Sequence, residues 1–326
     1  MASPLQLRAG TRSSRLALWQ TDFVISRLQE RTPGLSVERV TFSTLGDRVT
    51  DVALPSIGGK GLFTRELEDA LREGAIDFAV HSLKDLPTAQ APGLSLGAIL
   101  TREDPRDALV AQAPTTIAAL RPGARVGTSS LRRRAQLLAR RPDLDIRDLR
   151  GNVPTRVDRV VRGDLDAAVL ALAGLTRIGL GAHVAGVLEA DVMLPAPGQG
   201  ALAVQMRTGD DHVAAMLASI DDLATRLATT AERALLGRLE GGCQVPVGAL
   251  ATIEDDGVLR LDGLVIDLDG RHHVRQSARA SIIDETAAAT LGEQLADSLL
   301  ARGAGEILAR VRALQPAGIL RDVPES

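Results

Sequence analysis

The chain has 326 residues, 45% of them hydrophobic and 24% charged, with a formal net charge of −3. That length accommodates two or three domains, and the balance excludes a disordered chain and a global basic field suited to nucleic acid. The single cysteine, Cys243, excludes an intramolecular disulfide, and no signal-like start or membrane-length apolar run is visible, so the expected compartment is the reducing cytoplasm.

The first expected strand is Leu5 to Gly10, followed by Thr11-Arg12-Ser13-Ser14-Arg15 and an apolar-periodic run from Leu16. Serines before such a run are helix N-caps. A strand entering a capped helix leaves backbone N–H groups where an anion can sit, and Arg12 and Arg15 strengthen that reading against an ordinary cap with solvated arginines. Val37 to Phe42 alternates like a strand. Gly58-Gly59-Lys60-Gly61-Leu62-Phe63 lacks phosphate-loop spacing and reads as a mobile lid, leading to a helix from Thr64 to Glu73. Of the 38 basic residues only Lys60 and Lys84 are lysine, which suggests that both positions need a compact, titratable ammonium.

Ile76 to Val80 reads as a buried strand that delivers His81-Ser82-Leu83-Lys84-Asp85-Leu86-Pro87 at its carboxyl end, where open α/β sheets bind ligands. Asp85 is either a surface partner of Lys84, or a buried general acid or an electrostatic partner for a cation. The strand Arg125-Val126-Gly127 then runs through Thr128-Ser129-Ser130 into a helix opening on Arg132, Arg133 and Arg134. Three arginines at the positive end of a helix are destabilising until an anion arrives. Further strands are expected at Asp107–Ala111, Ile146–Leu149, Asp166–Leu172 and Ala201–Gln205, with a helix carrying Arg156, Arg159 and Arg162 and a crossover or hinge over Leu194–Gly200.

After a helix from Asp222 to Leu236 comes Leu239-Glu240-Gly241-Gly242-Cys243-Gln244-Val245-Pro246, which places a thiol on a tight loop with room around it, or else a small apolar residue at a turn. From Val247 three strands joined by short turns suggest an antiparallel sheet, covered by a helix from Glu285 to Ala301 and followed by a frayed tail after Gln315.

Taken together, the Thr11–Gln20, Gly58–Phe63, His81–Pro87, Val126–Arg133, Leu149–Asn152 and Leu239–Pro246 motifs, in that order, resemble the porphobilinogen deaminase (hydroxymethylbilane synthase) family. The resemblance runs from about Leu7 to about Ala313. It implies two periplasmic-binding-protein-like α/β lobes plus a smaller α+β C-terminal domain with an antiparallel sheet. The implied domains are 4–100 with 201–218, then 101–200, then 222–315. It implies a transferase of tetrapyrrole and haem biosynthesis that joins four porphobilinogens head to tail, with loss of ammonia, onto a dipyrromethane cofactor. That cofactor would be held by a thioether to Cys243. Catalysis falls to Asp85, which would stabilise the methylene-pyrrole cation left when ammonia departs. The cofactor would contact Lys84, Asp85, Thr128, Ser129, Ser130, Arg132, Arg133 and Arg150. The substrate would contact Arg12, Ser14, Arg150, Arg156, Arg177 and Gln199, under a lid of Gly58, Gly59, Lys60 and Phe63. Ser56 stands where some members have a lysine, which puts one lid contact in doubt. The chain is expected to act as a monomer without metal, membrane or nucleic acid.

A non-enzymatic anion-binding protein would share the two lobes but needs neither Cys243 nor Asp85 nor a third domain. Nucleic-acid binding is disfavoured by the 2% aromatic content, and a cysteine hydrolase by the lack of any motif tying a histidine to Cys243.

Overall fold

The structure, a computed structural model, describes residues 6–44, 64–239, 245–255, 257–282 and 284–314. The expected lid (Gly58, Gly59, Lys60, Phe63), Ser56, Cys243 and the tail after Gln315 lie outside the described residues.

Two five-stranded mixed sheets and one three-stranded sheet organise the described residues. The first sheet has the order β2-β1-β3-β10-β4, from β1 (Gln6–Arg12), β2 (Ser36–Phe42), β3 (Phe78–Ser82), β4 (Leu94–Ile99) and β10 (Leu202–Arg207). The second has the order β7-β6-β8-β5-β9, from β5 (Asp107–Val110), β6 (Arg125–Gly127), β7 (Asp145–Arg147), β8 (Ala167–Ala171) and β9 (Val184–Leu188). The two follow one plan. A parallel trio (β2, β1, β3 or β7, β6, β8) is extended by a strand antiparallel to its neighbours, β10 or β5. Each antiparallel strand enters its lobe from the other one, so two crossovers, residues 100–106 and 189–201, join the lobes side by side. They are pinned together by Leu100 N–H donating to Leu202 O at 3.0 Å and Glu103 N–H to Gly200 O at 3.2 Å. Gly200, at φ 91°, is required there, because a Cβ would lie 2.3 Å from the Glu103 carbonyl oxygen.

Helices α1 (Arg15–Arg31), α2 (Arg65–Arg72), α3 (Leu131–Arg140), α4 (Val153–Val161) and α5 (Leu172–Arg177) flank the sheets, and α6 (Asp211–Ala218) packs on β4 and β10. Each forms for a local reason. In α1, Ser14 caps the first turn and Ala17, Val24 and Leu28 bury one face. In α4, Asn152 caps and Pro154 sits in the first turn.

The third unit pairs the antiparallel meander β11 (Val247–Ile253), β12 (Val258–Ile266) and β13 (His273–Ser281) with α7 (Leu223–Arg238) and α8 (Glu285–Leu299). The two helices approach so closely that a Cβ on Gly292 would lie 2.2 Å from the Ala231 carbonyl oxygen. An apolar cluster of Ala135, Leu194, Leu250, Leu264 and Ile266 joins this unit to the second lobe.

The expected helix over Glu285–Ala301 stops at Leu299. After the wide turn Leu300–Ala304, in which Gly303 takes φ 98°, a second helix α9 (Gly305–Leu314) begins. The strand expected at Ile76–Val80 runs instead over Phe78–Ser82, because Asp77 is drawn into the ion pair with Arg8 just before it. The sequence reading named no strand at Leu94–Ile99 or Val184–Leu188, since both are short edge segments whose pairing comes from the other lobe's crossover. The strand expected over Asp166–Leu172 runs over Ala167–Ala171, and the stretch after it, for which no helix was expected, forms α5.

Candidate functional site

The carboxyl ends of β3 and β8 face each other across the cleft between the lobes. There Leu16, Gln20, Ser82, Lys84, Arg133, Val153, Arg156, Leu170, Gly174, Arg177 and Gly200 are among the residues enclosing about 510 Å3, part of it open to solvent. The fold thus gathers four of the expected site cations into one wall. Each has a separate origin. Lys84 lies in the single 3-10 turn Leu83–Asp85 that follows β3, Arg133 opens α3, Arg156 projects from α4 and Arg177 ends α5.

Like charges so close and so poorly hydrated resist protonation. Burial first, then Arg133, pushes Lys84 down to about 8, against the pull of Asp85 and Asp107. Burial, then Arg133 and Arg150, lowers Arg156 to about 10, and burial lowers Arg177 to about 10. Such a wall is electrostatically strained until carboxylates reach it, and bidentate arginine forks suit them. The Arg177 guanidinium also lies 5.8 Å from the centre of the Trp19 ring and donates to Gly200 O at 2.6 Å, so residues of the first lobe and of the crossover hold a cation of the second.

Behind the wall lies a polar network missing from the sequence reading. Asp107, at the first position of β5 and 0% exposed, accepts from Arg132 Nη1 at 2.8 Å and from Arg133 Nη2 and Nε at 2.8 and 3.1 Å. Burial acts to raise its carboxyl, but Arg132 and Arg133 overcome that and hold it well below the usual carboxylate range. A charged residue heading an otherwise apolar strand, in a chain with arginine-opened helices, is the signal that could have found it. Arg132 is itself buried and also donates to Leu194 O at 2.7 Å. Gln199 is 0% exposed. Its Nε2 donates to Asp107 at 2.8 Å and Pro105 O at 2.7 Å, while its Oε1 accepts from Lys84 Nζ at 3.2 Å and Arg133 Nη2 at 3.4 Å.

The hydroxyls are mostly engaged within the chain. Ser14 and Ser130 are N-caps of α1 and α3. Ser129 Oγ donates to Leu149 O at 2.7 Å and accepts from Leu149 N–H at 3.1 Å, and Thr128 Oγ1 accepts from Ser130 N–H. Arg12 ends β1, and Arg150 follows β7 in the turn before α4. Asp85 sits half-buried at the end of its turn, close enough to favour the charged forms of Lys84 and Arg156, yet the Lys84 ammonium bonds Gln199 and not Asp85. Among the described residues no three His, Cys, Asp or Glu side chains are grouped to hold a metal, and no helix is long and apolar enough to cross a membrane.

Two family models match the chain: the dipyrromethane cofactor binding domain of porphobilinogen deaminase over residues 7–215 and its C-terminal domain over residues 226–301. Among similar proteins, porphobilinogen deaminase of Moorella thermoacetica is 53% identical over 95% of this chain and 97% of its own. That of Syntrophotalea carbinolica is 52% identical over 93% and 95%, and that of Brevibacillus brevis 46% over 93% and 97%. Among solved structures, the periplasmic aliphatic sulphonate binding protein SsuA from Escherichia coli covers 99% of this chain and 96% of its own at 17% identity, with a TM-score of 0.41.

Proposed function

The chain belongs to the porphobilinogen deaminase family, and on that premise we propose how its residues share the work. The reaction is that of a hydroxymethylbilane synthase: four porphobilinogens are joined head to tail with loss of ammonia, and the linear tetrapyrrole is released by hydrolysis, a step of tetrapyrrole biosynthesis. The dipyrromethane cofactor supplies the primer from which the chain grows. The donor set fits it, since each of its rings carries two carboxylates and the cleft wall offers Lys84, Arg133, Arg156 and Arg177.

In this reading the Cys243 thiolate holds the cofactor through a carbon–sulfur bond. Lys84, Arg133 and Arg150, with the hydroxyl turn Thr128-Ser129-Ser130, take its carboxylates. Arg12, Ser14, Arg156 and Arg177 orient porphobilinogen. Arg132 and Gln199 act from behind, Arg132 beside Arg133 on Asp107 and Gln199 through Lys84 and Arg133. Asp85 stabilises the positive charge that develops on the substrate as ammonia leaves, and holds the proton exchanged there. The chain works as a cytoplasmic monomer, without metal or nucleic acid, under a lid that includes Gly58, Gly59, Lys60 and Phe63. The observation that carries the assignment is the crowding of four cations in one cleft, where Lys84, Arg156 and Arg177 have their proton affinity lowered.

Intact mass under denaturing conditions tests it. Wild type should carry a dipyrromethane adduct that reacts with Ehrlich's reagent, and Cys243→Ser should lack both the adduct and activity, because an alkoxide forms far less readily than a thiolate. A full adduct on the serine variant would refute the attachment.

A further inference from the structure

Arg233, on α7 of the third unit, reaches into the first lobe. Its Nη2 donates to Pro87 O at 2.6 Å and to Thr88 O at 3.2 Å, and its Nη1 donates to Leu86 O at 3.2 Å and, at the limit of contact, to Leu83 O at 3.5 Å. All four acceptors belong to the segment that contains Asp85. Leu83 opens the 3-10 turn, Leu86 ends it, and Pro87 and Thr88 follow before β4 begins. A planar guanidinium is the one side chain whose donors fan out widely enough to gather several carbonyls at once.

The front of the turn is held separately. Leu83 N–H donates to Ala201 O at 3.0 Å, and Leu83 and Leu86 pack with Ile99, Ala201 and Ala203. The back is not packed in the same way. A small cavity lined by Leu86, Pro87, Gln90, Gln205 and Arg233 lies against it, so removing the guanidinium enlarges a space into which the turn can relax. Six residues after Arg233, at Leu239, α7 ends, and in sequence the segment that contains Cys243 follows.

We infer that Arg233 is a positioning residue that fixes the Asp85 turn from behind and couples the unit carrying Cys243 to the first lobe's acid. The inference rests on the role proposed for Asp85. Its four hydrogen bonds to this segment all go to backbone carbonyls, so its effect reaches the reaction through where Asp85 stands, and the third unit sets that position.

The test uses the full-length, cofactor-loaded enzyme with Arg233→Ala, Arg233→Lys, Asp85→Asn and the double variant Asp85→Asn/Arg233→Ala. Four readouts are taken: adduct mass, melting temperature, amide exchange of the peptide spanning the Asp85 turn, and kcat beside KM for porphobilinogen. Arg233→Ala should keep its adduct and show faster exchange confined to that peptide. Its kcat should fall by about a hundredfold, as expected for misplacing a reacting group by about 1 Å, with KM changed far less. Arg233→Lys, with a point charge in place of a fork, should fall between it and wild type. In the Asp85→Asn background the Arg233→Ala change should lower kcat no further, because both act through one group. Unchanged exchange in the turn, a kcat loss that only tracks the unfolded fraction, or full additivity in the double variant would each overturn the inference. If Arg233→Ala does not fold, the lysine variant's exchange and kcat decide it by the same criteria. Undiminished turnover of Asp85→Asn would instead overturn the role of Asp85, while the exchange data would still judge the clamp.

Discussion

Lys84 shows how one residue type, read in the sequence, acquires its chemistry from the fold. Its retention in an arginine-rich chain marked it, but only burial and the neighbouring Arg133 bring its pKa down to about 8. A lysine shifted downward contributes stability that is complete above the ordinary value of 10.5 and is lost as pH falls through the folded value of about 8. Ligand binding runs the other way, because a carboxylate needs the ammonium. The grip on the cofactor's carboxylates should therefore weaken as pH rises through about 8. Lys84→Arg should remove that inflection, and Lys84→Gln should weaken the grip at every pH. The melting-temperature gain of cofactor-loaded over cofactor-free protein, followed across this range in the three proteins, checks it, and an unaltered inflection in Lys84→Arg would assign the titration elsewhere. Asp85 separates charge from reach. Asp85→Glu should retain measurable turnover, whereas Asp85→Asn should lose it by roughly a hundred- to a thousandfold in single-turnover ammonia release with its melting temperature unchanged. A parallel fall of both would reduce Asp85 to a structural partner of its turn.

At the scale of elements, the arginines that open α3 are explained by what stands behind them. Placed at the positive end of a helix, they appear destabilising in the sequence. In the fold, β5 presents Asp107 beneath that helix start, and Arg132 and Arg133 are anchored by it before any ligand arrives. Asp107→Asn leaves two buried guanidiniums without the carboxylate they share. The expected loss is about 3–5 kcal/mol of stability, read by denaturant melts. A loss below about 1 kcal/mol, the scale of an exposed pair, would show that the carboxylate is not needed to hold them. The sequence made the strand Asp107–Ala111 legible through its apolar run but not the partner of its first residue. That pairing joins positions 25 and 26 residues apart, and no local pattern encodes it. The hydroxyl caps Ser14 and Ser130 were legible because capping is local chemistry.

Across the whole molecule, Glu232 joins the three units. Fully buried on α7, it accepts from Arg102 Nη1 and Nη2 at 2.6 and 3.0 Å, from Gly198 N–H at 2.6 Å and from Ala251 N–H at 2.7 Å. Its carboxylate thus binds both crossovers to β11. Glu232→Gln supplies two donors where only acceptors are wanted and strands Arg102. We expect about 3–5 kcal/mol of destabilisation and a calorimetric transition that separates into more than one step as the third unit uncouples from the lobes. A single transition at the wild-type temperature would refute that role. The sequence by itself determined the α/β character of the lobes, the antiparallel meander, the glycine and serine punctuation and the set of cations facing an anionic ligand, because strand alternation, capping and residue chemistry act over a few neighbouring positions. The tertiary structure alone decided which strands β10 and β5 pair with after crossing between lobes, that Lys84, Arg133, Arg156 and Arg177 would share one wall, that Asp107 and Gln199 would hold it in place, and that Glu232 would tie the crossovers to β11. Those outcomes depend on contacts between residues far apart in the chain, where burial and the surrounding charges, not the residue's own type, fix what each group does.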